Sequence, residues 1–220
     1  MQTFGEIEYF NETLNDRWII EQVFPGKRNG YFVEVGAANG KAASSCYLLE
    51  TMFDWRGICI EPNDYFFQDL PDNRPNSICE NVCVSDRPGM VNFVQSADLH
   101  HSYLSGIKKN LQQFKAGSEV ILHEGTELVK AAFTLEFLLD KHRAPAVIDY
   151  GALDIEGSEL CVLRNFPFER YRFLALSMEC DEEVWVELCP ILQRQGYREV
   201  KNPFNLDKNW EKYCLHESLL

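Results

Sequence analysis

Tyr31-Phe-Val-Glu-Val-Gly-Ala-Ala-Asn-Gly40 decides how this chain is read. A short β-branched and aromatic run breaks into a turn bracketed by two glycines, and residues 41–52 then carry Ala, Cys, Tyr and Leu at helical spacing. A parallel strand presents backbone N–H groups to a ligand through such a strand, turn and helix. About twenty residues on, Trp55-Arg-Gly-Ile-Cys-Ile-Glu61 reads as a second buried strand. It ends in a carboxylate, at the position from which an α/β sheet holds the hydroxyl pair of a ribose. The two features together predict a nucleoside ligand.

Further strands are expected at 77–85, 90–94 (short and extra), 146–155 and 171–179, with a terminal pair within 197–213. Helices are expected at 65–70, ended by Pro71, and at 133–142, where Thr134 can cap. Two more are expected from Glu156 through Leu160, Leu163 and Phe166, and over 184–195 before Gly196. Alternating units of this length predict an α/β fold with a mostly parallel sheet and helices on both faces. Residues 1–28, with Trp18, Ile19, Ile20, Val23 and Phe24 ahead of Pro25-Gly26, read as a helical cap over one edge of the sheet. Residues 29–220 then form one domain. Within it, 95–118 is polar and rich in His, Ser and Gly, and reads as a lid or substrate loop.

The 220-residue chain carries a formal net charge of −13, and its only basic doublets are Lys27-Arg28 and Lys108-Lys109. That argues against nucleic acid as a partner, because neutralising phosphates needs clustered cations. The eight cysteines form no C-x-x-C pair and sit mostly among apolar neighbours, as free thiols do. The first residues lack a basic and apolar leader pattern, and no apolar run approaches the roughly 18 residues of a membrane span. A soluble protein of the reducing cytoplasm is expected. The oligomeric state cannot be read from the sequence.

A dinucleotide fingerprint G-x-G-x-x-G starting at Gly36 would need glycine at 38 and 41, where the chain has Ala38 and Lys41. The looser pattern of Glu34, Gly36 and Gly40 resembles motif I of the Rossmann-like (class I) S-adenosylmethionine-dependent methyltransferases. Asp149-Tyr-Gly-Ala-Leu-Asp-Ile-Glu-Gly-Ser-Glu159 sharpens the resemblance. It is similar to the D-x-L-S-L-D-x-E-G-x-E signature of the FkbM methyltransferases, with Gly151-Ala152 where the family usually has Leu-Ser. Other family-like blocks follow in register: Phe32-Val-Glu-Val-Gly36, Ile60-Glu-Pro-Asn63, Asn81-Val-Cys-Val-Ser-Asp86, Thr134-Leu-Glu-Phe-Leu-Leu139 and Met178-Glu179.

The resemblance implies a seven-stranded sheet closed by an antiparallel hairpin, and methyl transfer from S-adenosylmethionine, commonly to a hydroxyl of a sugar, polyketide or similar small molecule. It also implies that Glu34, Gly36, Ala37, Asn39 and Gly40 bound the methionine half of the cofactor, with Glu34 engaging its α-amino group directly or through water. Glu61 takes the ribose hydroxyls, Pro62 and Asn63 shape the adenosine pocket, and Asn81 lies near the adenine. Asp154 counts with both the cofactor-binding and the catalytic residues.

Sheet geometry should bring Asp154 and Glu156, at the end of the fourth strand, to Glu179 at the end of the fifth. Three carboxylates there can serve as base and orienting group, or hold a divalent metal such as Mg²⁺ or Mn²⁺ that lowers the pKa of the acceptor hydroxyl. The plainer alternative is that Glu156 and Glu159 favour the positive end of the next helix while Asp154 caps it. His100 and His101 are the other candidate bases. Two further functions stay open: a nicotinamide-dependent oxidoreductase, disfavoured by the missing glycine, and a methyltransferase-like binding or scaffold protein, disfavoured by intact Glu34, Glu61 and Asp154.

Overall fold

The computed structural model describes residues 7–96, 102–114, 117–205 and 207–220. Its strands are β1 (Tyr31–Val35), β2 (Arg56–Ile60), β3 (Ile78–Glu80), β4 (Cys83–Val84), β5 (Gly89–Gln95), β6 (Gly106–Ile107), β7 (Thr126–Phe133), β8 (Val147–Leu153), β9 (Arg172–Glu179), β10 (Tyr197–Val200) and β11 (Glu211–His216). The helices are α1 (Asn15–Arg17), continued by a π-helical turn (Trp18–Val23), then α2 (Tyr47–Phe53), α3 (Asp64–Phe67), α4 (Leu70–Asn73), α5 (Lys108–Phe114), α6 (Glu119–Glu124), α7 (Leu135–Lys141), α8 (Glu159–Leu163) and α9 (Glu182–Arg194).

The main sheet has seven strands in the order β10-β11-β9-β8-β1-β2-β3. β1 pairs in parallel with both β2 and β8, β8 with β9, and β2 with β3, while β11 runs antiparallel between β9 and β10. This is the expected mostly parallel sheet closed by an antiparallel hairpin. β1 shows how its faces are filled. Val33 and Val35 join a core with Leu138 and Leu139 of α7, Leu160 of α8 and Leu188 of α9. Phe32 points the other way, toward Trp18, Ile19 and Ile20 and toward Leu48 and Leu49 of α2. Each such side chain contributes about 1.5–3 kcal/mol of burial.

The N-terminal segment therefore covers a face of the sheet, not an edge. Trp18 lies edge-on to Tyr213, with ring centroids 4.9 Å apart, in the same apolar layer as Tyr150 and Ala175. Large apolar groups at three successive positions of a short helix, Trp18, Ile19 and Ile20, need a surface broader than one strand. Other boundaries move, among them the start of α8, which is Glu159 and not Glu156. Residues 41–46 are turns and the helix starts at Tyr47, because the N–H groups of Ser45 and Cys46 donate to the Glu34 carboxylate. Pro71 opens α4 instead of ending a helix, since a proline in the first turn loses no helical hydrogen bond.

The run 77–85 divides at Asn81 and Val82 into β3, in the main sheet, and β4, in a second sheet of order β4-β7-β5-β6. This second sheet was not foreseen, apart from the short strand at 90–94. Its β6 and the following α5 lie inside the segment read as a loop from 95 to 118. No helix among the described residues is long and apolar enough to cross a membrane, and all eight cysteines are free thiols.

The cap of α7 is as expected: the Thr134 hydroxyl accepts from the Phe137 N–H at 3.1 Å. Thr134→Ala should lower stability by about 1 kcal/mol in denaturant titration; an unchanged midpoint would show the cap to be inert.

Candidate active site

The turn after β1 is shaped by a close approach of two strand ends. Gly36 has φ +86°, and a Cβ there would lie 1.8 Å from the carbonyl oxygen of Asp154, just past β8. Only glycine fits. The N–H groups of Gly36 and Ala37 donate to the Ile60 carbonyl at 2.9 and 3.1 Å. Ala38 then takes a left-handed conformation, φ +45°, which turns its N–H onto Glu61 Oε2 at 2.8 Å. The Asn39 side chain accepts from the N–H groups of Lys41 and Ala42 at 3.1 and 2.9 Å and closes the turn.

Glu61 is buried just past β2, and its other oxygen accepts from the Asn63 N–H at 2.7 Å. Burial pushes its carboxyl up to about 7, against the pull of these two N–H groups and of Lys130. A carboxylate has roughly four lone-pair sites, so two neighbouring hydroxyls can still be accepted. Glu61 lines a narrow cleft together with Gly36 and Ala38. Its walls are largely apolar: Phe66 of α3, Val82, and Val84, Phe93 and Ile107 of the second sheet. Tyr103 packs on Phe66 with centroids 4.8 Å apart.

A second cleft, of about 490 Å³, adjoins the first and shares Asp154 and Tyr103 with it. Asn11, Thr13 and Asn15 of the N-terminal segment form one side, and Glu156, Ser177, Glu179, Trp210 and Glu211 line the rest. Oxygens of Asp154, Glu156 and Glu179 lie within 4.8 Å of one another. Glu211 stands directly opposite Glu179 in the β9–β11 ladder, an unfavourable placement for two charges. Burial, and secondarily Glu179, raises the Glu211 carboxyl to about 8, although Asn15 Nδ2 donates to it at 2.7 Å.

The residues singled out from the sequence are distributed unevenly over this site. Gly36, Glu61, Pro62 and Asp154 line the first cleft, and Asp154, Glu156 and Glu179 the second. Glu34, Ala37, Asn39, Gly40, Asn63 and Asn81 line neither cleft. Asn63 caps α3, and Asn81 donates to the Glu61 carbonyl at 3.0 Å and accepts from Lys130. The Glu34 carboxylate is turned into the interior, where it accepts from Ser44, Ser45, Cys46 and Arg74. Asp154 does not cap α8, whose N-cap is Ser158. His100 and His101 lie outside the described residues. Sequence reasoning missed Ala38, Phe66, Tyr103 and the N-terminal wall. Of these, Ala38 was signalled by its place in the glycine turn and Tyr103 by its place in the 95–118 segment.

Residues 34–199 match the family model of the methyltransferase FkbM domain. No curated protein matches the chain. Among solved structures, a human methyltransferase 10 domain containing protein is similar at TM-score 0.49 and 12% identity, covering 93% of this chain and 81% of that one. Fibrillarin of Aeropyrum pernix, in complex with natively bound S-adenosyl-L-methionine, is similar at TM-score 0.46 and 14% identity, covering 92% and 74%. A methyltransferase from Pyrococcus furiosus is similar at 0.43 and 15%, covering 96% and 85%.

Two buried carboxyls, Glu61 and Asp16, and the half-buried Glu211 set a pH dependence. Glu61, Glu211 and Asp16 hold their protons up to about pH 7, 8 and 6, against 4.5, 4.5 and 3.8 without burial. Between those limits the folded state binds more protons than the unfolded one, so this stabilisation is complete below about pH 4 and is lost as pH rises to 8. The melting temperature should therefore fall from pH 5 to pH 8, and Glu211→Gln should flatten the upper part of that slope. A melting temperature that rises over this range would contradict the assignment.

Proposed function

We propose that this chain, which belongs to the FkbM methyltransferase family, transfers a methyl group from S-adenosylmethionine to a hydroxyl of a small molecule, such as a sugar or another natural product. The observation that carries the reading is Glu61, a buried carboxylate anchored by two backbone N–H groups at the end of β2 and open to an apolar cleft. A ribose hydroxyl pair is the partner it suits. The dinucleotide alternative has less support, because Ala38 occupies its second glycine position and spends its N–H on Glu61.

When bound, the cofactor supplies a methyl group on a cationic sulfur. The chain's part is to hold the nucleoside, align the acceptor in line with the methyl, and take one proton. Glu61 and the Gly36–Ala38 turn serve the first task, with Phe66 and Val82 as apolar walls. Asp154 serves the last. It bounds both clefts, a position from which its carboxylate would take the proton of the acceptor hydroxyl. Glu156 and Glu179 orient the acceptor, and the segment 95–118 closes over it, a role supported by Tyr103 standing in both clefts. The mutual distance of the three carboxylates favours one second reading, in which they hold a divalent cation that acidifies the hydroxyl.

Calorimetry should detect S-adenosylhomocysteine and no heat from NADH; the reverse result would sink the reading. Glu61→Ala should weaken S-adenosylhomocysteine by about 1–3 kcal/mol through lost charge-assisted hydrogen bonds. Asp154→Asn should leave that affinity intact while lowering turnover about a hundredfold or more. Inhibition by a chelator, reversed by Mg²⁺ or Mn²⁺, selects the cation reading. An active Asp154→Asn protein would instead move the base to His100 or His101.

A further inference from the structure

Beneath the turn, lining neither cleft, lies an arginine that the reaction scheme does not use. Arg74 follows α4 and its side chain is 0% exposed. Its Nη1 donates to Glu34 Oε2 at 2.7 Å and its Nε to Glu50 Oε2 at 2.8 Å. The two carboxylate partners are themselves 4% and 0% exposed. Nη1 also reaches the Gly40 carbonyl at 3.4 Å and Ser44 Oγ at 3.2 Å. One guanidinium thus holds the chain before, at and after the turn that carries Gly36 and Ala38.

The neighbouring contacts tighten this hold. Glu34 Oε1 passes it on, accepting from Ser44 Oγ, the Ser45 N–H and the Cys46 N–H. Asn73 Nδ2 donates to the Asn39 carbonyl at 2.8 Å. Gly40 has φ +79°, and a Cβ there would lie 2.7 Å from Arg74 Cγ and 2.5 Å from Leu70 Cδ1. The arginine stem therefore fills the space against the turn. Glu61 and Arg74 are the two ends of one segment, 61–74, which meets the turn from both sides: the carboxylate at the Ala38 N–H and the cation beneath it.

Stability alone does not explain this arrangement. Arg74 Nη2 has no hydrogen-bond partner among the described residues, and buried ion clusters of this kind are often matched or bettered by apolar groups of the same volume. An apolar plug would fill the space without directing any of these bonds.

We propose that Arg74 is a positioning residue for the cofactor: through Glu34, Gly40 and Ser44 it fixes the turn so that the Ala38 N–H holds Glu61 ready for the donor nucleoside. The proposal rests on the reading that this turn and Glu61 hold S-adenosylmethionine. It predicts that losing Arg74 costs cofactor affinity beyond what lost stability explains.

The test compares wild type, Arg74→Met, Arg74→Lys, Glu34→Gln and, as a stability control, Leu139→Ala in the opposite apolar layer. Melting temperature, S-adenosylhomocysteine affinity and amide exchange at Ala38 are measured where each variant is folded. Arg74→Met should lose affinity tenfold or more with faster exchange at Ala38. Arg74→Lys, which keeps the charge without the fork, should recover part of the loss. Leu139→Ala should melt earlier yet bind as wild type does. If Arg74→Met does not fold, Glu34→Gln carries the same expectation at smaller size.

Wild-type affinity in a folded Arg74→Met or Glu34→Gln protein overturns the proposal, as does an equal affinity loss in Leu139→Ala. A wild type that binds no S-adenosylhomocysteine overturns the cofactor reading itself, a result distinct from a wild type that binds and an Arg74 variant that binds equally well.

Discussion

The hydrogen bond from the Ala38 N–H to the buried Glu61 carboxylate joins the loop that leaves β1 to the residue that ends β2, and the rest of the site is arranged to allow it. The bond needs Ala38 in a left-handed conformation, which costs a non-glycine residue on the order of 1–3 kcal/mol. A charge-assisted bond of about 1.5–3 kcal/mol offsets that cost. The same geometry requires Gly36 to pass the Asp154 carbonyl without a Cβ, which brings the end of β8, and with it the Asp154 side chain, beside the same cleft.

Two kinds of carboxylate result. Glu34 and Glu50 are paired with Arg74 and surrounded by donors, so their charge is spent inside the protein. Among the described residues Glu61 accepts from two backbone N–H groups, and Glu211 from the Asn15 amide and the Ser177 hydroxyl, and burial raises the pKa of both. Carboxylates of the first kind set the backbone; those of the second kind face the clefts and gain most from a ligand that donates hydrogen bonds. On the proposed reading, the lone pairs that Glu61 keeps open are the ones the nucleoside hydroxyls would meet.

Much of the main sheet was legible because buried parallel strands such as 31–35, 57–61 and 171–179 are near-continuous apolar runs ended by Gly or Glu. The second sheet was not. Two of its strands, β4 and β6, are two residues long, and β7 passes through Lys130-Ala-Ala, which carries no strand propensity. Asp154, Glu156 and Glu179 could be brought together from sheet order alone, since neighbouring parallel strands end side by side. Arg74 could not, because Asn73-Arg-Pro-Asn76 reads as a turn and only tertiary packing shows what the guanidinium meets. Glu34 carried a hint that went unused: it shares the parity of Phe32, and the face of Phe32 is the one where Arg74 lies, 4.9 Å from that ring.

The central claim is the position of the nucleoside, and a crystal structure of the protein with S-adenosylhomocysteine tests it most directly. The account predicts both ribose hydroxyls about 2.5–3.0 Å from the Glu61 carboxylate oxygens, the adenine between Phe66 and Val82, and the sulfur toward Asp154. A nucleoside bound elsewhere, or bound in this cleft with no contact to Glu61, would contradict it.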